Sequence, residues 1–202
     1  VGSEMCIRDR SSPRPPTLAV CSLKICAACG IHNSGCNESR HDGIHTFYIG
    51  KNSHVRYSEK HYGEGDGSGT RVMNPTTIVY LDEGASIQMD TVQIRGIDST
   101  VRKTKIVCGK DAEAVITERL LTHGKQHAES DMEIELNGED ARGRVISRSV
   151  AQDESKQIFH PVVVGNSKCF GHVQCDSIIM GKATIESIPA CLLYTSPSPR
   201  DA

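Results

Sequence analysis

The feature that most constrains this chain is a rhythm of short apolar runs, separated by Gly, Asn or Asp, that recurs along most of its length. The runs fall at 46–49, 54–57, 77–81, 86–94, 104–108, 114–121, 132–136, 144–150, 158–164, 173–180 and 183–188. Most of their starts lie about 8 to 18 residues apart, the spacing of a sandwich, a barrel or a β-solenoid. Almost nothing recurs at helical spacing, and only 114–121 could pass for a helix. Trp is absent and aromatic residues make up 4% of the chain. Thr, Gln and Glu alternate with Val and Ile through many runs. Stacked rungs bury a narrow core of small β-branched residues and need few large aromatics, so the pattern predicts an all-β solenoid. No strict hexapeptide repeat is present, which makes its rungs irregular.

The two ends stand apart from this pattern. VGSEMCIRDR at 1–10 and CLLYTSPSPRD from Cys191 onward can be encoded by one DNA element read in opposite orientations. That agreement marks them as translated sequencing adapter, so 1–10 and 191–202 are set aside as non-native. Their removal takes three basic and three acidic residues, and the net charge of −2 is unchanged. The remainder divides into a leader and Cys-rich segment at 11–45, opening with the extended SSPRPPT, and a β core at 46–190.

A near-neutral chain without a basic block argues against electrostatic capture of nucleic acid or an anionic membrane. No stretch approaches the roughly 18 apolar residues of a membrane span. The seven cysteines between the ends, Cys21, Cys26, Cys29, Cys36, Cys108, Cys169 and Cys175, are odd in number and irregularly spaced. They read as reduced cytoplasmic thiols, not as a disulfide framework.

Few motifs carry chemistry. The glycine-rich HYGEGDGSGTRVMNP lacks the GKS or GKT ending of a phosphate-binding loop and reads as a solvent-facing turn. Cys26 and Cys29 form one C-x-x-C pair that could grip zinc, though no second pair accompanies it. The many histidines form no HExxH, and no Ser/His/Asp order argues for a hydrolase. Cys175 lies in a strand-like run bounded by glycines, where period-two alternation groups it with Val173 and Ser177, opposite His172, Gln174 and Asp176. Cys169 is a second, weaker thiol, because Gly171 invites a bend between the two.

The segments YSEKHYGEGDGSGTRVMNPTT, TVQIRGIDSTVRKTK, ERLLTHGKQHAESDMEIELNGEDARGRVISRSVA and GHVQCDSIIMGKATIESIPA resemble the core of the SufB/SufD family, scaffold proteins of the SUF iron–sulfur cluster assembly system. The resemblance covers most of the chain between the ends, and CDSIIMG is its most specific string. It implies a right-handed parallel β-helix, followed in the family by a helical region that this chain lacks. It further implies a non-enzymatic, cytoplasmic scaffold that holds a transient iron–sulfur cluster. The implied partners are a SufC-type ATPase, a second SufB/SufD-type subunit paired through the helix ends, and a sulfur-donating desulfurase pathway. Carried over by motif, Cys175 is the residue for cluster or sulfur handling and the metal ligand. Two other readings compete: a carbohydrate-active β-helix enzyme, which needs a carboxylate or basic row on one solvent-facing strand, and a structural solenoid with zinc at Cys26 and Cys29.

Overall fold

The computed structural model describes residues 22–193 as strands and turns alone, all strand pairing being parallel. Residues 1–21, which take in the proline-rich SSPRPPT and Cys21, and residues 194–202 lie outside the described residues. The chain winds through about six rungs, each laying one strand on a six-stranded sheet and then one, sometimes split in two, on a nine-stranded sheet. The first sheet runs β1 (Ser22–His32), β4 (His54–Glu64), β7 (Ser86–Arg95), β9 (Glu113–Thr122), β11 (Arg142–Ala151) and β13 (Phe170–Ile179). Opposite it stand β2 (Glu38–His41) with β3 (Ile44–Ile49), β5 (Thr70–Met73) with β6 (Thr76–Leu81), β8 (Ser99–Cys108), β10 (His127–Leu136), β12 (Lys156–Gly165), and β14 (Thr184–Ser187) with β15 (Ala190–Leu193). This is the expected β-solenoid, and 114–121 is strand β9, paired on both sides.

The rungs are irregular in length for a visible reason. Ser22 pairs with His54 and His54 with Ser86, whereas Ser86 pairs with Glu113, Glu113 with Arg142 and Arg142 with Phe170. The two longer steps carry extra loops, at 33–37 and 65–69. The glycine-rich turn is therefore shorter than its sequence implies, since 61–64 complete β4 and 70–73 form β5. Its glycines serve stacking: a Cβ at Gly67 would come within 2.1 Å of Asn33 Oδ1, and one at Gly69 within 1.8 Å of Cys36 O.

One corner is built by a repeated device. Asn52, Gly84, Asp111 and Asp140 take positive φ of 55°, 65°, 54° and 57°. These residue types tolerate the left-handed region best. Their N–H groups donate in series to the carbonyls of Glu83, Lys110, Glu139 and Lys168 on the next rung, so the turns form a ladder of their own. The Gly, Asn and Asp punctuation of the sequence marks this corner and the opposite one, where Gly96, Gly124, Asp153 and Gly181 also take positive φ.

The solenoid also begins earlier than 46. β1 pairs with β4 along its 11 residues, so the Cys-rich segment is the first rung and not a leader. Small Cys, Ala and Gly side chains in SLKICAACGIH carry little apolar signal, which hides the strand. At the other end, β15 takes in Cys191–Leu193, within the span read as adapter, through backbone pairing to β12.

Inside, the two sheets bury alternate residues, and the interior divides lengthwise. Near the corner of Asn52, Gly84, Asp111 and Asp140 it is apolar, with Tyr57, Ile87, Met89 and Ile116 from one sheet against Ile106, Ile134 and Leu136 from the other. Towards the opposite corner the inward positions turn polar: Glu59, His61, Thr91, Gln93, Arg102, Glu118, Ser130, Ser147 and Gln157 are all buried.

Candidate functional site

Strand register lines up this polar half. Ala27 pairs with Glu59, Glu59 with Thr91, Thr91 with Glu118, Glu118 with Ser147, and Ser147 with Cys175. Five inter-strand steps span about 24 Å. The row thus runs from the neighbourhood of Cys29, two residues beyond Ala27, to Cys175.

Its centre is a buried ionic chain. The Arg102 guanidinium pairs with Glu118 and donates to His61 Nδ1 at 3.0 Å and to Gln93 Oε1 at 3.1 Å. Glu118 also accepts from Ser130 Oγ at 2.8 Å and from Ser147 Oγ at 3.3 Å. On the far side, Glu59 Oε1 lies 3.0 Å from His61 Nε2, 3.4 Å from His45 Nδ1 and 3.7 Å from the Cys29 thiol. Burial pushes the Glu59 carboxyl up, but His61, His45 and Arg102 overcome it and hold it at about 2. Burial, reinforced by Glu59, pushes the Cys29 thiol up to about 11. Burial and the nearby Arg102 outweigh Glu59 and hold His61 below its ordinary value, so its ring is neutral.

Cys29, Glu59 and His61 bring their donor atoms within 4.8 Å of one another, a spacing a metal ion could use. The protonation pattern works against it. A guanidinium has no lone pair, so His61 Nδ1 must accept from Arg102 and the neutral ring carries its proton on Nε2. That proton stands where a cation would bind, and Arg102 adds a positive charge beside it. The cluster reads as a structural ionic network. Four buried polar atoms around it, His61 Nε2, Thr91 Oγ1, Arg102 Nε and Thr104 Oγ1, lack an aligned protein partner.

Cys26 does not join this cluster. Alternation on β1 places Cys29 inward and Cys26 on the exposed outer face, so the C-x-x-C pair cannot close on one ion. Cys169 precedes β13 and packs against the apolar core.

Cys175 lies on the last described rung, where its inward-facing side chain is exposed. Ser187 Oγ donates to its sulfur at 3.5 Å. Glu118, Ser130, Ser147, Ser149, Gln157, Ser177 and Ser187 line with it a cavity of about 10 Å³. That is room for about one water. Gln174 and Asp176 face the other way and bond each other at 2.9 Å, and His172 shares their face, as alternation requires. The site therefore offers one accessible thiol on a rigid strand, backed by hydroxyls and a carboxylate. The interior chain of Glu59, His61, Arg102 and Glu118 escapes sequence reasoning, and its trace there is only period-two spacing of charged residues within β4, β8 and β9.

A carbohydrate-active β-helix would show a solvent-facing carboxylate row, and β10 has one in Glu129, Asp131, Glu133 and Glu135. Three of these are engaged: Lys105 Nζ binds Glu133 at 3.2 Å and Glu135 at 2.6 Å, and His160 lies 3.0 Å from Asp131. No helix among the described residues is long and apolar enough to cross a membrane.

Comparison with known proteins agrees with the family resemblance of the sequence. Residues 22–197 match the family described as SUF system FeS cluster assembly, SufBD core domain. The chain is 34% identical over 143 residues to an iron-sulfur cluster assembly SufBD family protein of Methanocaldococcus jannaschii, a match covering 70% of this chain and 45% of that relative. The chain thus spans less than half the length of the curated relative it matches.

Proposed function

Because the chain belongs to the SufBD core family of the SUF iron–sulfur cluster assembly system, we propose that it is part of a non-enzymatic scaffold subunit on which Cys175 holds iron or sulfur during cluster assembly. The observation that carries this reading is Cys175 in the CDSIIMG string of β13, in register with the buried polar row. Iron and sulfide are cargo here and not a resident group. A scaffold must hold the cluster firmly enough to build it and loosely enough to release it, which favours few thiolates over a closed four-cysteine cage. Cys29, with its proton held up to about 11, is a poor thiolate donor by comparison.

Further ligands must then come from outside the described rungs. A second SufB/SufD-type subunit, paired end to end, is the proposed source of those ligands. A SufC-type ATPase and a desulfurase pathway complete the proposed partnership, in the cytoplasm, where thiols stay reduced.

The test is anaerobic reconstitution of the intact protein with iron and sulfide, reading bound iron, bound sulfide and the visible absorbance. Cys175→Ser is expected to fall to background while Cys26→Ser matches wild type. Equal loading of Cys175→Ser and wild type would overturn the assignment.

A further inference from the structure

The outer face of the six-stranded sheet is unlike the rest of the surface. Across β4, β9 and β11, Arg56, Lys60, Arg119, Arg142, Arg144 and Arg148 all point outward and are exposed. Against them stand Asp90, Glu113 and Asp176, while Arg95 and Glu64 pair with each other at one corner. Only loose ion pairs form on this face, Arg56 with Asp90 at 4.0 Å and Arg148 with Asp176 at 3.7 Å. Among the described residues no carboxylate pairs with Lys60, Arg119, Arg142 or Arg144. The opposite face does the reverse, tying its carboxylates to Lys105 and His160.

Between the cations lie outward-facing Val92, Val115, Leu121, Ile146 and Val150. Arg56, Lys60, Arg119 and Arg148 line a shallow depression of about 510 Å³ that also takes in Val92 and Ile146. Arginine mixed with aliphatic side chains is the composition of a protein interface, where the planar guanidinium fork meets carboxylates in pairs. Size agrees. Six strands about 4.8 Å apart and about 33 Å long give roughly 800 Å², one partner's share of a standard interface. The surface is flat, which suits a protein better than a small molecule. The three acidic residues and the scarcity of aromatic stacking platforms disfavour a nucleic-acid backbone.

We propose that this face docks a protein partner whose contact surface presents carboxylates around an apolar centre. The partner's carboxylates engage Arg119, Arg144 and Arg148, and its apolar centre covers Val115 and Ile146. The surface lies on the opposite side of the sheet from the inward-facing Cys175 thiol, so docking and cluster loading are separable.

The test is fluorescence anisotropy of a short labelled peptide rich in Glu and Leu, titrated with the intact protein at low and physiological salt. Wild type is expected to bind, and Arg119→Glu with Arg144→Glu and Arg148→Glu to weaken binding about tenfold or more. Lys103→Glu with Lys105→Glu on the opposite face, and Cys175→Ser, should both leave affinity unchanged. If the triple variant does not keep the wild-type melting curve, Arg119→Glu alone serves, with a loss of affinity still required. Unaltered affinity in the reversed variants would overturn the proposal. So would equal binding of a leucine-free glutamate peptide, tighter binding of a DNA oligonucleotide, or a variant effect confined to self-association.

Discussion

The two halves of the solenoid interior obey different physics. In the apolar half, Met89, Ile116, Ile134 and Leu136 lose contact with water and stabilise the stack by burial, each side chain contributing about 1.5–3 kcal/mol. In the polar half, Glu59, Arg102 and Glu118 lose hydration at a cost of several kcal/mol per ion, and only their mutual pairing offsets it. Burial is nearly complete in both halves, so exposure alone does not separate them. What differs is the consequence of removing one partner. An apolar neighbour leaves a cavity, whereas an ionic neighbour leaves an uncompensated charge. The polar half is thus dispensable for cohesion in principle but intolerant of piecemeal change, and it is the half that leads to Cys175.

The sharpest way to break this comparison is to cut the ionic chain at its centre. Arg102→Ala strands Glu118 and is expected to destabilise by about 3–5 kcal/mol in urea unfolding. Ile134→Ala, the matching lesion in the apolar half, should cost about 2–5 kcal/mol through its cavity. The discriminating step is the second substitution. Arg102→Met combined with Glu118→Gln removes both charges and should recover much of the loss, while no single change beside Ile134→Ala can do so. Failure of the double variant to recover would show the polar half to be cohesive in its own right.

Acidity sharpens the comparison next. Glu59 is held at about 2 in the fold against about 4.3 when unfolded, so its contribution is present above pH 4.3 and lost as pH falls towards 2. The displacement corresponds to about 3 kcal/mol. His61 is depressed and stays neutral in the fold, so the unfolded state gains a proton first and stability begins to fall below about pH 6.5. At the alkaline end, burial raises Cys29 to about 11 and Cys108 to about 12. Their contributions are present below about 8.5 and decline as pH rises through the folded values. Unfolding midpoints measured across pH should form a plateau between about 6.5 and 8.5. A midpoint unchanged from pH 7 to pH 3 would remove Glu59 and His61 from the buried network.

The same division explains what could be read from the chain beforehand. Runs such as 86–94 and 144–150 were visible because their apolar residues alternate or cluster at strand spacing. The run at 54–57 stopped seven residues short of Glu64, and that at 104–108 began five residues late, because Glu59, His61 and Arg102 occupy inward positions where the pattern expects Val or Ile. A buried charge is indistinguishable from a surface charge in one sequence. Its partner comes from across the interior, Arg102 of β8 lying 16 residues before Glu118 and 41 after His61. The Cys175 motif was legible through its resemblance, and its inward parity through simple alternation. The C-x-x-C pair misled for the same geometric reason: on a strand, residues three apart face opposite ways.

The smallest expected effect is also the most direct comparison, because one chemical change can be made in both halves. Cys108 sits in the apolar half with no exposure, and Cys175 ends the polar half in the open. Cys108→Ser places a hydroxyl among aliphatic neighbours and should cost about 1–3 kcal/mol. Cys175→Ser, beside Ser187 and the Ser147 and Ser177 hydroxyls, should stay within about 0.5 kcal/mol. Paired urea melts decide it. A near-silent Cys175→Ser that still loses iron and sulfide would separate the thiol's chemistry from the fold's stability. A Cys175→Ser as costly as Cys108→Ser would instead make Cys175 a packing residue.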